Sequence, residues 1–280
     1  MIVFVHGGVW SSKSAEPASV HHAVQAGLNA RDAIDAVETA VCVLEDDERF
    51  NAGYGSVLNV DGSLELDAGI ADGSTGRTGA VIAVTVRHPI SLARRVLEDT
   101  PHVLMTGAGA AELGSGMAEL HDTSPAERRR WLEARERGEF DSRPYGDPEP
   151  GDTVGAVALD ATGKLAAGSS TGGVFGQQRG RVGDSPLFGA GFYASARAAV
   201  VGTGVGELFI ETLACGSAGR LIDDGVQPQT ACERVLAELG RRASTSAGLL
   251  ALDAAGEPGA AYRGAAWSVA GPSGPITPVR

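Results

Sequence analysis

Gly151-Asp152-Thr153-Val154-Gly155-Ala156-Val157-Ala158-Leu159-Asp160 decides how this chain is read. A charged, proline-rich stretch precedes it, and from Val154 it runs as an unbroken apolar segment of strand length, the pattern of a strand buried on both faces. Thr153 stands at the boundary. A cut of the Asp152–Thr153 bond would make Thr153 an N-terminal residue. Its free α-amine, with an ordinary pKa of about 7.7–8.0, would then sit beside its own hydroxyl as a ready base.

The rest of the chain offers that hydroxyl little help. The six histidines are His6, His21, His22, His88, His102 and His121, and none follows residue 121. Gly168-Ser169-Ser170-Thr171-Gly172 has the form of a nucleophile elbow, but that motif needs a histidine later in the chain, so the match is accidental. Gly189-Ala190-Gly191-Phe192-Tyr193-Ala194 has the form of a dinucleotide fingerprint, yet a loop rather than a strand precedes it. There is no H-E-x-x-H and no C-x-x-C, and the histidines are scattered, so spacing reveals no metal site.

Composition narrows the class further. The 280 residues carry a net charge of −12, which repels phosphate backbones and speaks against nucleic acid. Cys42, Cys215 and Cys232 are odd in number and far apart, which fits a reducing compartment rather than a disulfide framework. No apolar run reaches the roughly 18 residues of a membrane span, and Met1 to Gly8 lacks the basic start of a secretion signal. A cytoplasmic protein without membrane or nucleic-acid partners is expected.

Local patterns predict a strand at Ile2–Val5, a helix over Asp32–Asp46 and, from Phe50 to Asn59, a glycine loop entering a strand. A turn at Asn59-Val60-Asp61-Gly62 leads into an alternating segment at Ser63–Asp67. A strand at Ala80–Val86 and a helix at Pro89–Glu98 follow. Ser124-Pro125-Ala126-Glu127 reads as a capping box opening a charged helix, with the whole of 121–151 expected as an exposed segment. Beyond Thr153 come a strand, the turn Asp160-Ala161-Thr162-Gly163, and a second strand at Leu165–Ser169. Glycine loops lead to a strand at Val200–Gly206, a helix from Glu207, a helix at Pro228–Leu239, and a hairpin of Leu249–Asp253 with Gly259–Tyr262. Strands with helices at intervals predict sheets covered by helices.

Three threonines beside glycines, Thr153, Thr171 and Thr203, are candidate hydroxyls in loops where substrate can approach main-chain N–H groups. Arg181 and Asp184, three residues apart in Gly180–Pro186, allow two readings. They can hold the carboxylate and ammonium of an amino acid, or they can bridge each other.

Taken together, these runs resemble the isoaspartyl peptidase/L-asparaginase family, the plant-type asparaginases among the N-terminal nucleophile hydrolases. The matching runs are Val5-His6-Gly7-Gly8, Ala36-Val37-Glu38, Leu44-Glu45-Asp46-Asp47, Phe50-Asn51-Ala52-Gly53, Gly55-Ser56-Val57, Asp152 to Ala158, Ser170-Thr171-Gly172-Gly173, Gly180 to Pro186, Gly189-Ala190-Gly191 and Thr203-Gly204-Val205-Gly206-Glu207. The resemblance implies an α+β fold, a four-layer α/β/β/α sandwich, with 1–280 as one domain. It implies self-cleavage between Asp152 and Thr153 into an α chain of 1–152 and a β chain of 153–280, and assembly as a homodimer of such αβ units. Thr153 is then nucleophile and base, Thr171 and Asn51 support it, Thr203 and Gly204 form the oxyanion hole, and Arg181, Asp184, Gly204 and Gly206 bind substrate. No catalytic cofactor is implied. A structural sodium ion would lie on the main chain of Leu44, Glu45, Asp47, Phe50, Ala52 and Tyr54. The implied substrates are β-aspartyl dipeptides and L-asparagine.

Three places depart from the family pattern. Asp152 stands where isoaspartyl peptidases usually carry glycine and resembles glycosylasparaginases, so hydrolysis of glycosyl-asparagine is the alternative. Val9-Trp10 interrupts the expected glycine run, and Ser244-Thr245-Ser246-Ala247-Gly248 replaces another. A catalytically silent binding protein is the reading from a different class.

Overall fold

A computed structural model describes residues 1–10, 17–140 and 153–280. Asp152, the residue before the expected cut, and positions 141–151, the last part of the expected exposed segment, lie outside the described residues.

Strand β1 (Ile2–Trp10) is followed by helices α1 (Pro17–Leu28) and α2 (Ala33–Glu45), a single 3-10 turn at Gly53–Gly55, and strands β2 (Leu66–Asp72) and β3 (Arg77–Val84). Then come α3 (Pro89–Asp99), β4 (Leu104–Thr106), α4 (Gly107–Leu113) and α5 (Pro125–Arg137). After Thr153 the order is β5 (Val154–Leu159), β6 (Leu165–Thr171), β7 (Phe192–Ala194), β8 (Ala198–Gly204), α6 (Gly206–Thr212), α7 (Ala214–Asp223) and α8 (Pro228–Arg242). The chain closes with β9 (Ala247–Asp253), β10 (Pro258–Arg263), β11 (Ala266–Gly271) and β12 (Gly274–Pro275).

These elements make a mixed α+β fold with two sheets. The larger has the order β12-β11-β1-β5-β6-β2-β3-β4 and the smaller β10-β9-β8-β7. Strand β5 shows why its sequence is apolar throughout. Val154, Ala156 and Ala158 belong to a core with Val20, Val24, Val37, Val41, Leu44, Ile90 and Val96 of α1, α2 and α3. The alternate residues Val157 and Leu159 meet Phe192, Val201, Leu250 and Leu252 of the smaller sheet. The far face of that sheet, through Val200, Leu249 and Ala251, packs on Phe209, Ala218, Ile222, Val235 and Leu236 of α6, α7 and α8. The strands named here are thereby dry on both faces, and the hydrophobic burial that results is the main stabilising term.

Local signals are realised where the chain can satisfy them alone. Asp32 caps α2, its carboxylate accepting from the Asp35 N–H at 2.9 Å, and Ser124 caps α5 by accepting from Glu127 N at 3.3 Å. The turn before β6 closes through Asp160, whose N–H donates to Lys164 O at 3.0 Å. Elsewhere the structure differs from expectation. β1 runs on through Gly7 and Gly8 to Trp10, with a register shift between His6 and Val9 against β11. The glycine loop after Phe50 enters a 3-10 turn rather than a strand. The helix expected from Glu207 is two helices, broken at Leu213, which sits in the left-handed region at φ 49. Helix α5, read as solvated, buries Trp131, whose Nε1 donates to Asn59 O at 2.8 Å.

Candidate active site

Because β5 starts where β6 ends, the antiparallel pairing Val154↔Ser170 brings Thr153 beside Thr171. Both are buried, and the Thr153 hydroxyl donates to Thr171 Oγ1 at 3.2 Å. Thr171 Oγ1 also accepts from Gly173 N at 3.1 Å. Asn51 holds the turn that follows. Its Nδ2 donates to Gly173 O at 2.7 Å, its Oδ1 accepts from Val57 N at 3.0 Å, and its own carbonyl accepts from Gly172 N at 3.0 Å. Asn51 thus acts on the turn that carries the support, one step removed from Thr153.

The second sheet reaches the same end. Gly155 faces Val201, so β5 lies directly against β8. Two residues further along β8, Thr203 Oγ1 accepts from Val9 N at 3.4 Å. Val9 lies beyond His6, the partner of Gly155 in β1, and therefore toward Thr153. Thr203 and Gly204 pair with Gly248 and Ala247 of β9, which places the divergent Ser244–Gly248 stretch against them.

Arg181 and Asp184 meet at Gly206. A Cβ on Gly206 would stand 2.8 Å from Arg181 Nη2 and 2.9 Å from Asp184 Oδ1, so only glycine lets α6 start this close. Of the two readings for Arg181, the structure adds a third partner. Its Nε and Nη2 grip Glu207 Oε1 and Oε2, both at 2.9 Å. Burial works against its charge, but Glu207, Asp184 and Asp67 outweigh it and raise the pKa. Two of its five N–H groups are spent on Glu207, leaving three for a ligand. Asp67, opposite Thr171 in the β2–β6 ladder, accepts from Ala83 N at 2.9 Å and from Gly183 N at 3.5 Å. Burial pushes it up to about 6 despite those bonds and the nearby Arg181.

One histidine does come near. His6 lies on β1 beside Gly155, where a Cβ would stand 2.6 Å from Nε2. It is fully buried, and burial lowers its pKa to about 3. Its Nδ1 accepts from Gly8 N at 3.3 Å, an assignment that leaves the proton on Nε2. A ring so weakly basic, with its acceptor nitrogen already used, is a poor general base for Thr153.

The main-chain loop of Leu44, Glu45, Asp47, Phe50, Ala52 and Tyr54 is compact. Gly53 and Gly55 lie against the carbonyl oxygens of Glu45, Glu48 and Phe50, where a Cβ would collide. Tyr54 O accepts from Ser124 N at 2.9 Å, and the carbonyls of Leu44, Asp47 and Ala52 each accept one N–H from the same loop. The carbonyls of Leu44, Asp47 and Ala52 each keep a second lone pair that a hard cation could use, whereas Tyr54 O also accepts from Thr123 Oγ1 at 3.2 Å.

Glu207 and Asp67 have no role in the sequence reading. Glu207 lay inside a quoted run without a role, and Asp67 becomes a neighbour of Arg181 only through sheet pairing.

The family described as asparaginase matches residues 1–271. The chain is similar to an isoaspartyl peptidase of Salmonella typhimurium, 42% identical over 277 residues that cover 90% of this chain and 88% of that protein. It is 39% identical to a plant-type L-asparaginase of Pyrococcus abyssi over 280 residues, 92% of this chain and 91% of that one. An isoaspartyl peptidase of Escherichia coli is 44% identical over 234 residues, 79% of this chain and 73% of its own length.

Proposed function

The chain belongs to the asparaginase family, and from that premise we propose that it is a self-processing hydrolase of β-aspartyl dipeptides and L-asparagine. The observation that carries the reading is the buried Thr153–Thr171 hydroxyl pair, linked through Asp67, which pairs with Thr171 and accepts from Gly183 N, to the loop that holds Arg181 and Asp184. It couples a nucleophile at a chain-processing point to a clamp for the two charged groups of an amino acid.

Processing comes first. Thr153 Oγ attacks the carbonyl of residue 152, the peptide nitrogen leaves, and the resulting ester is hydrolysed by water. The products are a carboxylate on residue 152 and a free amine on Thr153. In turnover that amine takes the hydroxyl proton while Oγ attacks the side-chain carbonyl of the substrate. Thr203 and Gly204 form the oxyanion hole, for which their place opposite Gly248 and Ala247 at the Thr153 end of the sheets is the support. The leaving amine or ammonia accepts the proton, and water then releases aspartate from the ester. Arg181 holds the α-carboxylate with the donors that Glu207 leaves it, and Asp184 the α-amine.

The same reading treats 1–280 as one domain, with the helices outside and the two sheets inside as a four-layer α/β/β/α sandwich. Cores on the three successive interfaces support this. A sodium ion on the 44–54 carbonyls, a homodimer of αβ units and a cytoplasmic location complete it. The free thiols of Cys42, Cys215 and Cys232 support the last. The glycosylasparaginase alternative rests on Asp152, outside the described residues, and no described residue favours it.

Denaturing mass spectrometry of purified protein tests the reading. Two fragments meeting between Asp152 and Thr153 are expected, with Thr153→Ala left whole and inactive. An uncut wild type that releases no aspartate from β-aspartyl-leucine or asparagine refutes it. Tight amino-acid binding without turnover would mark a silent binding protein.

A further inference from the structure

We propose that Cys42, Glu45 and His88 form a binding site for a thiophilic divalent cation of the zinc class. Their Sγ, carboxylate oxygen and ring nitrogen all lie within 4.8 Å of one another. Ligands about 2.0–2.3 Å from one tetrahedral ion stand roughly 3–4 Å apart, so small side-chain rotations close the set. The three residues are scattered along the sequence, which is why spacing hid them. The fold unites them because Cys42 and Glu45 are three residues apart on one face of α2, and His88 immediately precedes α3.

The geometry is organised around the carboxylate. Glu45 is fully buried, and its Oε1 is held by Ser170 Oγ at 2.6 Å and Ile90 N at 3.1 Å. That leaves Oε2, which faces His88 Nδ1 at 3.2 Å. A buried, twice-anchored carboxylate beside a thiol and an imidazole is unlike the solvated acidic clusters common on protein surfaces. His88 Nε2 stands 3.6 Å from Asp46 Oδ1, which also accepts from Arg87 Nε at 2.7 Å, so binding through Nδ1 would leave the other ring N–H facing a carboxylate that a small rotation brings within hydrogen-bond reach. His88 is partly exposed, which gives the ion an entry path and solvent the fourth position.

The ligand types choose the metal. Thiolate and imidazole favour zinc and its neighbours, while magnesium and calcium prefer oxygen alone. The site uses side chains and is chemically unlike the carbonyl loop that starts at Leu44. Binding replaces the Cys42 S–H bond by a sulfur–metal bond and releases the thiol proton to solvent; His88 binds as the Nε2–H tautomer, and no redox change occurs.

The test is titration of the chelator-treated, full-length protein with cobalt(II) chloride and zinc chloride. Wild type is expected to give a near-ultraviolet thiolate-to-cobalt absorption band and, on dialysis, to retain about one zinc per chain. Cys42→Ser abolishes the band, and Cys42→Ser or His88→Ala weakens zinc retention at least about tenfold, the scale of losing one ligand-shell group. His102→Ala, remote from the site, binds as wild type. A wild type without the thiolate band, or one that retains no more zinc than the Cys42→Ser/His88→Ala double variant, overturns the proposal. Since Cys215 and Cys232 are buried in the other helix layer, the wild-type spectrum alone decides the case if a variant does not fold.

Discussion

The Thr153 hydroxyl donates to Thr171 Oγ1 at 3.2 Å while Gly173 N fixes that same oxygen from the other side at 3.1 Å. In the proposed mechanism Thr171 therefore fixes the orientation of the Thr153 hydroxyl. Thr171→Val keeps the shape and removes the acceptor. A loss of about 1–2 kcal/mol is expected, roughly a 5–30-fold fall in kcat with KM little changed. Steady-state kinetics on β-aspartyl-leucine checks it, and an unchanged kcat would remove Thr171 from the machinery.

Glu207 orients Arg181 by taking two of its donors. Arg181→Lys loses the planar fork and is expected to raise KM tenfold or more, an effect of about 1.4 kcal/mol or greater on carboxylate binding. Glu207→Gln keeps one acceptor and should raise KM by a smaller factor with kcat almost intact. Equal KM values in both variants and wild type would show that the substrate carboxylate binds elsewhere.

Gly206→Ala tests the proposed clamp from the backbone side. The added methyl would crowd Arg181 Nη2, Asp184 Oδ1 and Asp184 N at 2.8, 2.9 and 3.1 Å. Asp184 is buried and its backbone cannot retreat freely, so KM should rise and thermal stability should fall with it. A drop in stability with unaltered KM would make Gly206 a packing residue only.

Two buried groups give the stability opposite responses to acid. Asp67 titrates in the folded protein near 6 against an ordinary 3.8. Its contribution is complete below 3.8 and is lost as pH rises through about 6, on the order of 3 kcal/mol. His6 is held near 3 against 6.5. Its contribution is present above 6.5 and is lost as pH falls toward 3, by up to about 5 kcal/mol. Urea unfolding from pH 7.5 to pH 4 should show Asp67→Asn gaining relative to wild type as pH rises. His6→Gln should flatten the loss on acidification. Parallel curves for all three proteins would contradict both shifts.

Trp131 ties the charged helix to the body. It is buried, donates to Asn59 O, and carries Arg135 over its ring at 4.6 Å from the centroid. Trp131→Ala should cost on the order of 3–5 kcal/mol, read as a lowered Tm, and Trp131→Phe clearly less. Equal melting of wild type and Trp131→Ala would return α5 to the status of a solvated helix.

What could be read from the sequence was what short segments determine alone. Asp32 and Ser124 announce helix starts through their own side chains, and Val154–Leu159 announces a strand with two dry faces. Thr153, Thr171 and Arg181 stand out as candidates by residue type and neighbouring glycines. Pairings between distant segments were not. Nothing in Ala266–Gly271 says that it joins β1, and nothing in Leu213 predicts a left-handed break. Glu207 and Asp67 acquire partners only through such pairings.

The order of the larger sheet has a mechanical consequence. Strand β1, from before Thr153, lies between β11 and β5, both from after it, and β6 in turn pairs with β2. A single backbone cut before Thr153 would yield two polypeptides woven through one hydrogen-bonded sheet. Neither could depart without tearing ladders on both its edges, so the pieces would unfold together, part only in denaturant, and keep the new amine of Thr153 docked where it was made.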